Sequence, residues 1–224
     1  MMKSNVLRKS LSIVTFSVVT VTGTSFAQSK RVEINPFFGY TLSDGVPVDP
    51  FFVGGETYNS INPKSGMSYG VQFGVFVTEN VEVGFLWSHQ NSKLEAKGRT
   101  STDFTDMTNS NYHGIFTYNW GDDDSMARPF IFGGLGATVF APADVGGFSI
   151  ESGTRFSSTW GAGVKAYVSP NVGFTGMARW TPTYIKSEPG GIWCSPYWFY
   201  GCYYLTDADY ANQFELSGGL SLRF

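Results

Sequence analysis

Apolar and polar side chains alternate along most of the chain after its first 27 residues. Runs with a period of two, bounded by Gly, Pro, Asn and Asp, predict β-strands. Each run is about as long as a tilted transmembrane strand, roughly 9–11 residues, or slightly longer. The runs lie near 31–41, 68–77, 81–91, 110–120, 128–140, 155–168, 172–185 and 212–224. The pattern therefore predicts an all-β protein of eight strands.

The connections between these runs alternate between short and long. The short connections are 78–80, 121–127 and 169–171, and the long ones are 42–67, 92–109, 141–154 and 186–211. This order places the short turns at one end of an up-and-down meander and the long loops at the other. Transmembrane barrels show the same asymmetry, with short periplasmic turns and longer external loops.

The two faces of a run differ in chemistry. In the run 155–168, Phe156, Trp160 and Val164 share one face, whereas Ser157 and Lys165 lie on the other. A soluble barrel would turn its apolar face inward and cover its outer face with charges. Here the polar face is rich in Gly and Ser, so we expect the apolar face to meet lipid, where closure satisfies every backbone group. The predicted fold is an eight-stranded antiparallel up-and-down transmembrane β-barrel.

One run does not fix its own register. In 128–140, the consecutive residues Phe130, Ile131 and Phe132 place large apolar side chains on both faces. Alternation alone therefore leaves open which of them points into the barrel.

Composition supports strands in a membrane. Aromatic residues make up 17% of the chain and there are 27 glycines, while charged residues make up only 15%. A typical soluble domain has about 25% charged residues. After the first 27 residues, no apolar run approaches the roughly 20 residues of a membrane-spanning helix.

The first segment has the three parts of a secretory signal peptide: a basic segment at 3–9, an apolar stretch at 11–21 and a small-residue cleavage site at 25–27. The apolar stretch is too short for a membrane anchor. We therefore predict a signal peptide at 1–27 and a mature barrel at 28–224. Cleavage would remove three bases and change the net charge from -3 to -6, which leaves no basic patch for nucleic acid.

The chain ends on Ser217-x-Gly219-x-x-Leu222-x-Phe224, which is similar to the C-terminal assembly signal of bacterial outer-membrane barrels. With the segments 77–85, 128–130 and 169–171, the chain resembles the small eight-stranded outer-membrane β-barrel domain family, which includes the membrane domain of outer-membrane protein A. The resemblance implies an outer-membrane location, surrounding lipid, and recognition of the C-terminal residues by the barrel assembly machinery. The peptidoglycan-binding domain of that relative is not expected here.

Alternation places six charged residues inside the barrel: Glu33, Glu82, Lys165, Arg179, Glu215 and Arg223. Side chains fill the interior of an eight-stranded barrel, and an unpaired buried charge is costly. We therefore expect ion pairs, among them Arg179 with Glu215 and Glu33 with Arg223. Such a network is either a structural polar plug or a narrow, gated ion pathway.

The last long loop carries two cysteines, Cys194 and Cys202, which we name the loop cysteines. In an exported protein such a pair is predicted to form a disulfide. Metal binding by these two thiols is not expected, because no His lies nearby in the sequence. Seven aromatic residues accompany them: Trp193, Tyr197, Trp198, Phe199, Tyr200, Tyr203 and Tyr204. These form either an adhesive surface patch or part of the interfacial aromatic girdle.

No constellation predicts catalysis. The chain has two histidines, His89 and His113. Ser88 and His89 are adjacent on a strand and so face opposite sides, which excludes them as a nucleophile and base pair. Asp207-x-Asp209 has no His nearby and so does not predict an aspartate-based protease. The acidic run 122–124 is predicted to be a polar turn. We predict a protein without enzymatic activity, metal or cofactor. Its expected role is structural or surface contact through the long loops, with a surface ligand of unknown identity; the alternative is a narrow pore or transporter for ions or small solutes.

Overall fold

Segments of alternating polarity form strands in the computed structural model, which describes residues 32–44, 46–53, 56–98, 101–122, 125–143, 152–185, 193–194, 202–203 and 210–224. In chain order the strands are β1 (Val32–Ser43), β2 (Val46–Val53), β3 (Glu56–Pro63), β4 (Gly66–Phe76), β5 (Val81–Gly98), β6 (Ser101–Asn119), β7 (Ala127–Pro142), β8 (Gly153–Ser169), β9 (Val172–Tyr184), β10 (Trp193–Cys194), β11 (Cys202–Tyr203) and β12 (Tyr210–Arg223). The predicted signal peptide lies outside the described residues.

Eight of these strands close into a barrel, in the order β1, β4, β5, β6, β7, β8, β9 and β12. Every neighbouring pair is antiparallel, and β1 closes on β12 with Glu33 opposite Arg223. The predicted fold class, a closed eight-stranded antiparallel barrel, is confirmed. Within the described residues, no helix has the length and hydropathy needed to cross a membrane.

The two ends of the barrel differ. The connections β4–β5, β6–β7 and β8–β9 are short, and the two ends of the described chain meet beside them, where Phe224 N donates to Val32 O at 2.9 Å. Asn80 Nδ2 ties two of these turns together by donating to Asn119 O at 2.7 Å. We call this the short-turn end and the opposite end the long-loop end.

Three predicted loops contain strands, and one of them, 186–211, holds the short strands β10 and β11. We expected 92–109 to be a loop, but β5 continues to Gly98 and β6 begins at Ser101, so the hairpin extends beyond the predicted strand ends. The predicted loop 42–67 contains the hairpin β2–β3, which pairs with the extension of β5. Above the lipid a strand needs no apolar outer face, so the backbone ladder continues where the alternation has ended.

The register of β7 is fixed by its neighbour. Phe130 and Phe132 are buried inside the barrel, whereas Ile131 points outward and is 48% exposed. A Cβ on Gly163 would meet the Phe130 ring, and one on Gly161 would meet the Phe132 ring. Glycines on β8 therefore provide the space that draws these two rings inward.

An apolar cluster occupies the middle of the lumen: Phe37, Leu86, Ile115, Phe130, Phe132 and Met177. Along β5, Leu86 lies between two inward-facing polar residues, Glu82 and Ser88, and all three are buried. The apolar cluster therefore separates two polar levels of the interior.

Candidate functional site

The first polar level lies near the short-turn end and is centred on Lys165. Its Nζ lies 2.5 Å from Glu33 Oε1 and 3.0 Å from Glu82 Oε2, and all three side chains are fully buried. These residues stand on β8, β1 and β5, which are separated from one another around the barrel. One ammonium group therefore ties together three walls of the lumen.

Glu33 has more hydrogen-bonding partners than the alternation of side chains along the sequence predicted. Arg223 Nε donates to Glu33 Oε2 at 2.8 Å, and the Tyr167 hydroxyl donates to the same oxygen at 2.7 Å. Asn35 Nδ2 donates to the other oxygen at 3.0 Å. The Arg223 guanidinium also lies 3.9 Å from the centroid of the Tyr167 ring. The sequence analysis did not predict Tyr167 and Asn35 as partners of Glu33, because it paired only charged residues and these two are neutral.

A further buried cation, Arg128, was also missed, because the register of its strand was open. Its Nη2 donates to Glu79 O at 2.6 Å and lies 3.4 Å from Gly121 O, so it joins two of the short turns. The ring of Phe76 faces three cations at 5.3 to 5.9 Å from its centroid: Arg128, Lys165 and Arg223. An aromatic face at this range favours cations.

The second polar level contains Arg179 and Glu215. Arg179 Nη2 donates to Glu215 Oε2 at 2.6 Å and to Ser88 Oγ at 2.8 Å. Thr41 Oγ1 donates to the same Glu215 oxygen at 3.3 Å. Ser88 stands on β5, which is separated from β9 by three strands in either direction around the barrel. The Arg179 side chain therefore reaches across the lumen.

Neutral polar groups follow toward the long-loop end. Thr138 Oγ1 donates to Asn111 Oδ1 at 2.7 Å and lies 3.0 Å from Ser157 Oγ and 3.1 Å from Thr183 Oγ1. His113 Nε2 lies 2.9 Å from Ser157 Oγ. His113 is therefore part of a buried hydrogen-bond network that links β6, β7, β8 and β9.

The other histidine lies on the outer face. His89 Nδ1 is 2.8 Å from Ser110 Oγ, and its ring packs beside Tyr69 and Trp87, with centroids 5.4 and 6.4 Å away. Ser88, its neighbour in sequence, is buried in the lumen against Arg179. The two side chains thus face opposite sides of the wall.

Aromatic pairs stand near both ends of the outer surface. Those nearer the long-loop end are Tyr69 with Trp87, Trp180 with Phe214, and Tyr184 with Tyr210. At the short-turn end, Tyr118 packs against Trp120 with ring centroids 5.2 Å apart. Aliphatic residues between these levels are exposed, for example Leu135 at 61% and Leu216 at 71%. An apolar band with aromatic residues at both edges is typical of barrels in membranes.

The C-terminal residues of the predicted assembly signal occupy both faces of β12. Ser217 is buried inside, while Leu222 is half-buried and Phe224 is 66% exposed on the outside. A Cβ on Gly219 would meet Pro36 O, so β1 and β12 pack closely there.

The loop cysteines lie opposite each other on paired backbones, Cys194 on β10 and Cys202 on β11, beside the pair Trp193 and Tyr203. Directly opposed residues have Cβ atoms about 4.5–5.5 Å apart, close to the distance that a disulfide needs. Their side chains lie outside the described residues, so the disulfide stays a prediction. The other aromatic residues of the predicted patch also lie outside them: Tyr197, Trp198, Phe199, Tyr200 and Tyr204.

Three solved structures share this architecture. Neisserial surface protein A aligns with a TM-score of 0.54 at 15% identity, covering 86% of this chain and 97% of that one. The outer membrane protein OprG from Pseudomonas aeruginosa gives 0.56 at 13% identity, with 88% and 96% covered. The outer membrane protein AlkL in DMPC lipid bilayers gives 0.55 at 14% identity, with 92% and 97% covered.

These likenesses establish the fold. The chain has the architecture of the small eight-stranded outer-membrane β-barrels. No family model matches the chain, and no curated protein matches it either.

Proposed function

We propose that this chain is an exported protein of the bacterial outer membrane, inserted with its short-turn end in the periplasm. The exposed apolar band with aromatic residues at both edges supports a lipid environment. The solved structures with the same fold include two that are named outer membrane proteins. In this proposal the segment 1–27 directs export, and the assembly machinery reads the C-terminal motif that ends at Phe224.

The proposed role is structural or surface contact through the long loops. The observation that carries it is the closure of the lumen: Lys165 and Arg179 cross it at two levels, with the apolar cluster between them. A barrel filled in this way offers its long-loop end to partners, while its wall contacts lipid.

The second candidate is a narrow pore or transporter. It is favoured by the polar side chains that line the interior from Glu33, near one end, to Gln213, near the other. An ion could use this lining only if the cross-lumen contacts of Lys165 and Arg179 opened.

Conductance across a planar lipid bilayer separates the two roles. Folded protein, checked by its heat-modifiable gel shift, should give no discrete openings, while a general porin in the same bilayer gives them. Discrete openings from the wild-type protein would overturn the structural proposal and support the pore.

Location needs its own test. Mass spectrometry of protein from the outer-membrane fraction should give a mature chain beginning at Gln28. Protease added to intact cells should cleave at the long-loop end and leave the short turns uncut. Cleavage at the short turns in intact cells would contradict the orientation.

A further inference from the structure

One inward-facing cation near the long-loop end has no partner in the part of the chain that the structure describes. Arg155 lies on β8 two residues before Ser157, which is buried in the lumen, so period two turns both side chains to the same side. Thr138, another buried lumen residue, stands directly opposite Arg155 on β7. The Arg155 side chain is half-buried, and its Nε is buried without a hydrogen-bond acceptor among the described residues.

The buried carboxylates of the described lumen are engaged elsewhere. Glu33 and Glu82 pair with Lys165 at the first polar level, and Glu215 pairs with Arg179 at the second. Arg155 forms no ion pair with the residues that the structure describes. A charge that is taken partly out of water without a partner costs free energy. An anion beside Arg155 would therefore be stabilising.

The groups around Arg155 are neutral. Thr138 Oγ1 donates to Asn111 Oδ1 at 2.7 Å and lies 3.0 Å from Ser157 Oγ. Asn111 Nδ2 donates in turn to Gln213 Oε1 at 3.3 Å. The amide nitrogen of Gln213 is buried and has no acceptor within the described part of the chain. This polar layer thus contains a spare N–H donor and no negative charge.

Open space lies next to Arg155 on the side of the long-loop end. Gly153 begins β8 and lies two positions before Arg155, so it faces the same side of the strand. A Cβ added at Gly153 would meet no atom within 4 Å. A ligand could therefore approach Arg155 from the mouth of the lumen without displacing a side chain at this position.

We propose that Arg155 binds the carboxylate group of a small solute at the long-loop mouth of the lumen. The planar guanidinium presents parallel N–H donors that match the two oxygens of a carboxylate. The interior of an eight-stranded barrel is just wide enough for side chains, which restricts the site to small solutes. The inference depends on neither the direction of insertion nor conductance, because it concerns binding at the mouth alone.

The test uses full-length mature protein, isotope-labelled for NMR and folded in detergent, with sodium acetate as the probe. Acetate replaces chloride at constant ionic strength, so that a general effect of salt stays the same throughout the titration. In the wild type, acetate should shift the Arg155 Nε–H signal together with the backbone amide signals of Thr138 and Ser157.

Three variants separate the guanidinium from charge in general. R155Q should weaken acetate binding, read from the Thr138 and Ser157 amides, by at least about tenfold, because it removes charge-assisted hydrogen bonds. R155K keeps the charge but not the planar fork, so its affinity should lie between those of the wild type and R155Q. K93Q removes an exposed cation on β5 and should bind acetate as the wild type does.

The proposal is overturned if the Arg155 signal does not move, or if R155Q binds acetate as tightly as the wild type. Tetraglutamate is the second probe, because an acidic segment of a partner protein also carries carboxylates. Binding of tetraglutamate through Arg155 without binding of acetate would show that the occupant is a protein, and the small-solute assignment would be wrong. The gel shift of each variant establishes that it is folded. Because binding is measured on purified protein, its failure is distinct from a failure of the protease or conductance tests.

Discussion

Replacing Lys165 by Met tests whether the first polar level holds the barrel together. The change removes the cation shared by Glu33 and Glu82 but keeps most of the side-chain volume. Glu33 retains Arg223, Tyr167 and Asn35. Glu82 loses the partner of its Oε2, and its Oε1 has no partner among the described residues. The main penalty is therefore one uncompensated buried carboxylate.

Removing one member of a buried ion pair destabilises by about 3–5 kcal/mol, and we expect a loss of this size for K165M. E82Q should cost less, about 1–2 kcal/mol, because Lys165 keeps Glu33 and a hydrogen-bonding amide remains. The double variant K165M/E82Q removes the stranded charge, so it should be more stable than K165M alone by about 2 kcal/mol.

Urea unfolding in phosphatidylcholine vesicles, followed by tryptophan fluorescence and by the gel shift, measures these free energies. The reasoning fails if K165M lies within about 1 kcal/mol of wild type. It also fails if the double variant loses as much as the sum of the two single changes, since the penalty would then not come from the stranded Glu82.

Further changes probe the close packing, the chain end and the last loop. G74A should lower folding yield, because the added Cβ would meet the Glu82 carboxylate, whereas G176A on the outer face meets nothing and should fold normally; equal yields in refolding gels would contradict this. Deleting Phe224, an exposed anchor bonded to β1, should reduce membrane assembly far more than E215Q, and equal membrane levels would contradict it. Reduction should expose the loop cysteines to a thiol label while the gel shift persists; labelling without reductant would exclude the disulfide.

The membrane part of the fold could be predicted because lipid imposes a rule on every second residue. Large apolar residues of β12, such as Phe214, face outward, and Glu215 beside it faces inward, as period two requires. The rule stops above the lipid, where both faces meet water. The extension of β5 to Gly98 and the hairpin β2–β3 therefore had no signal in the alternation.

The interior was less accessible to sequence reasoning, because its contacts depend on which strands face each other across the lumen. The partners Arg179 and Glu215 stand opposite each other on adjacent strands, so counting from the turn and the chain end relates them. The contact of Arg179 with Ser88 joins residues 91 positions apart on non-adjacent strands. Arg128 was missed for a different reason: glycines of β8 decide the register of its strand.

The buried ion pairs act on register as well as on stability. Replacing a buried pair by apolar residues is often neutral or stabilising, so Arg179 and Glu215 are poorly explained by stability alone. A slip of β12 by one residue would turn Glu215 and Arg223 toward lipid and bring Leu216 inside. A charged side chain facing lipid costs up to about 2–4 kcal/mol near the bilayer centre. Each inward charge therefore penalises the wrong register, and the charge network selects a single closure of β1 on β12 from among the slipped alternatives.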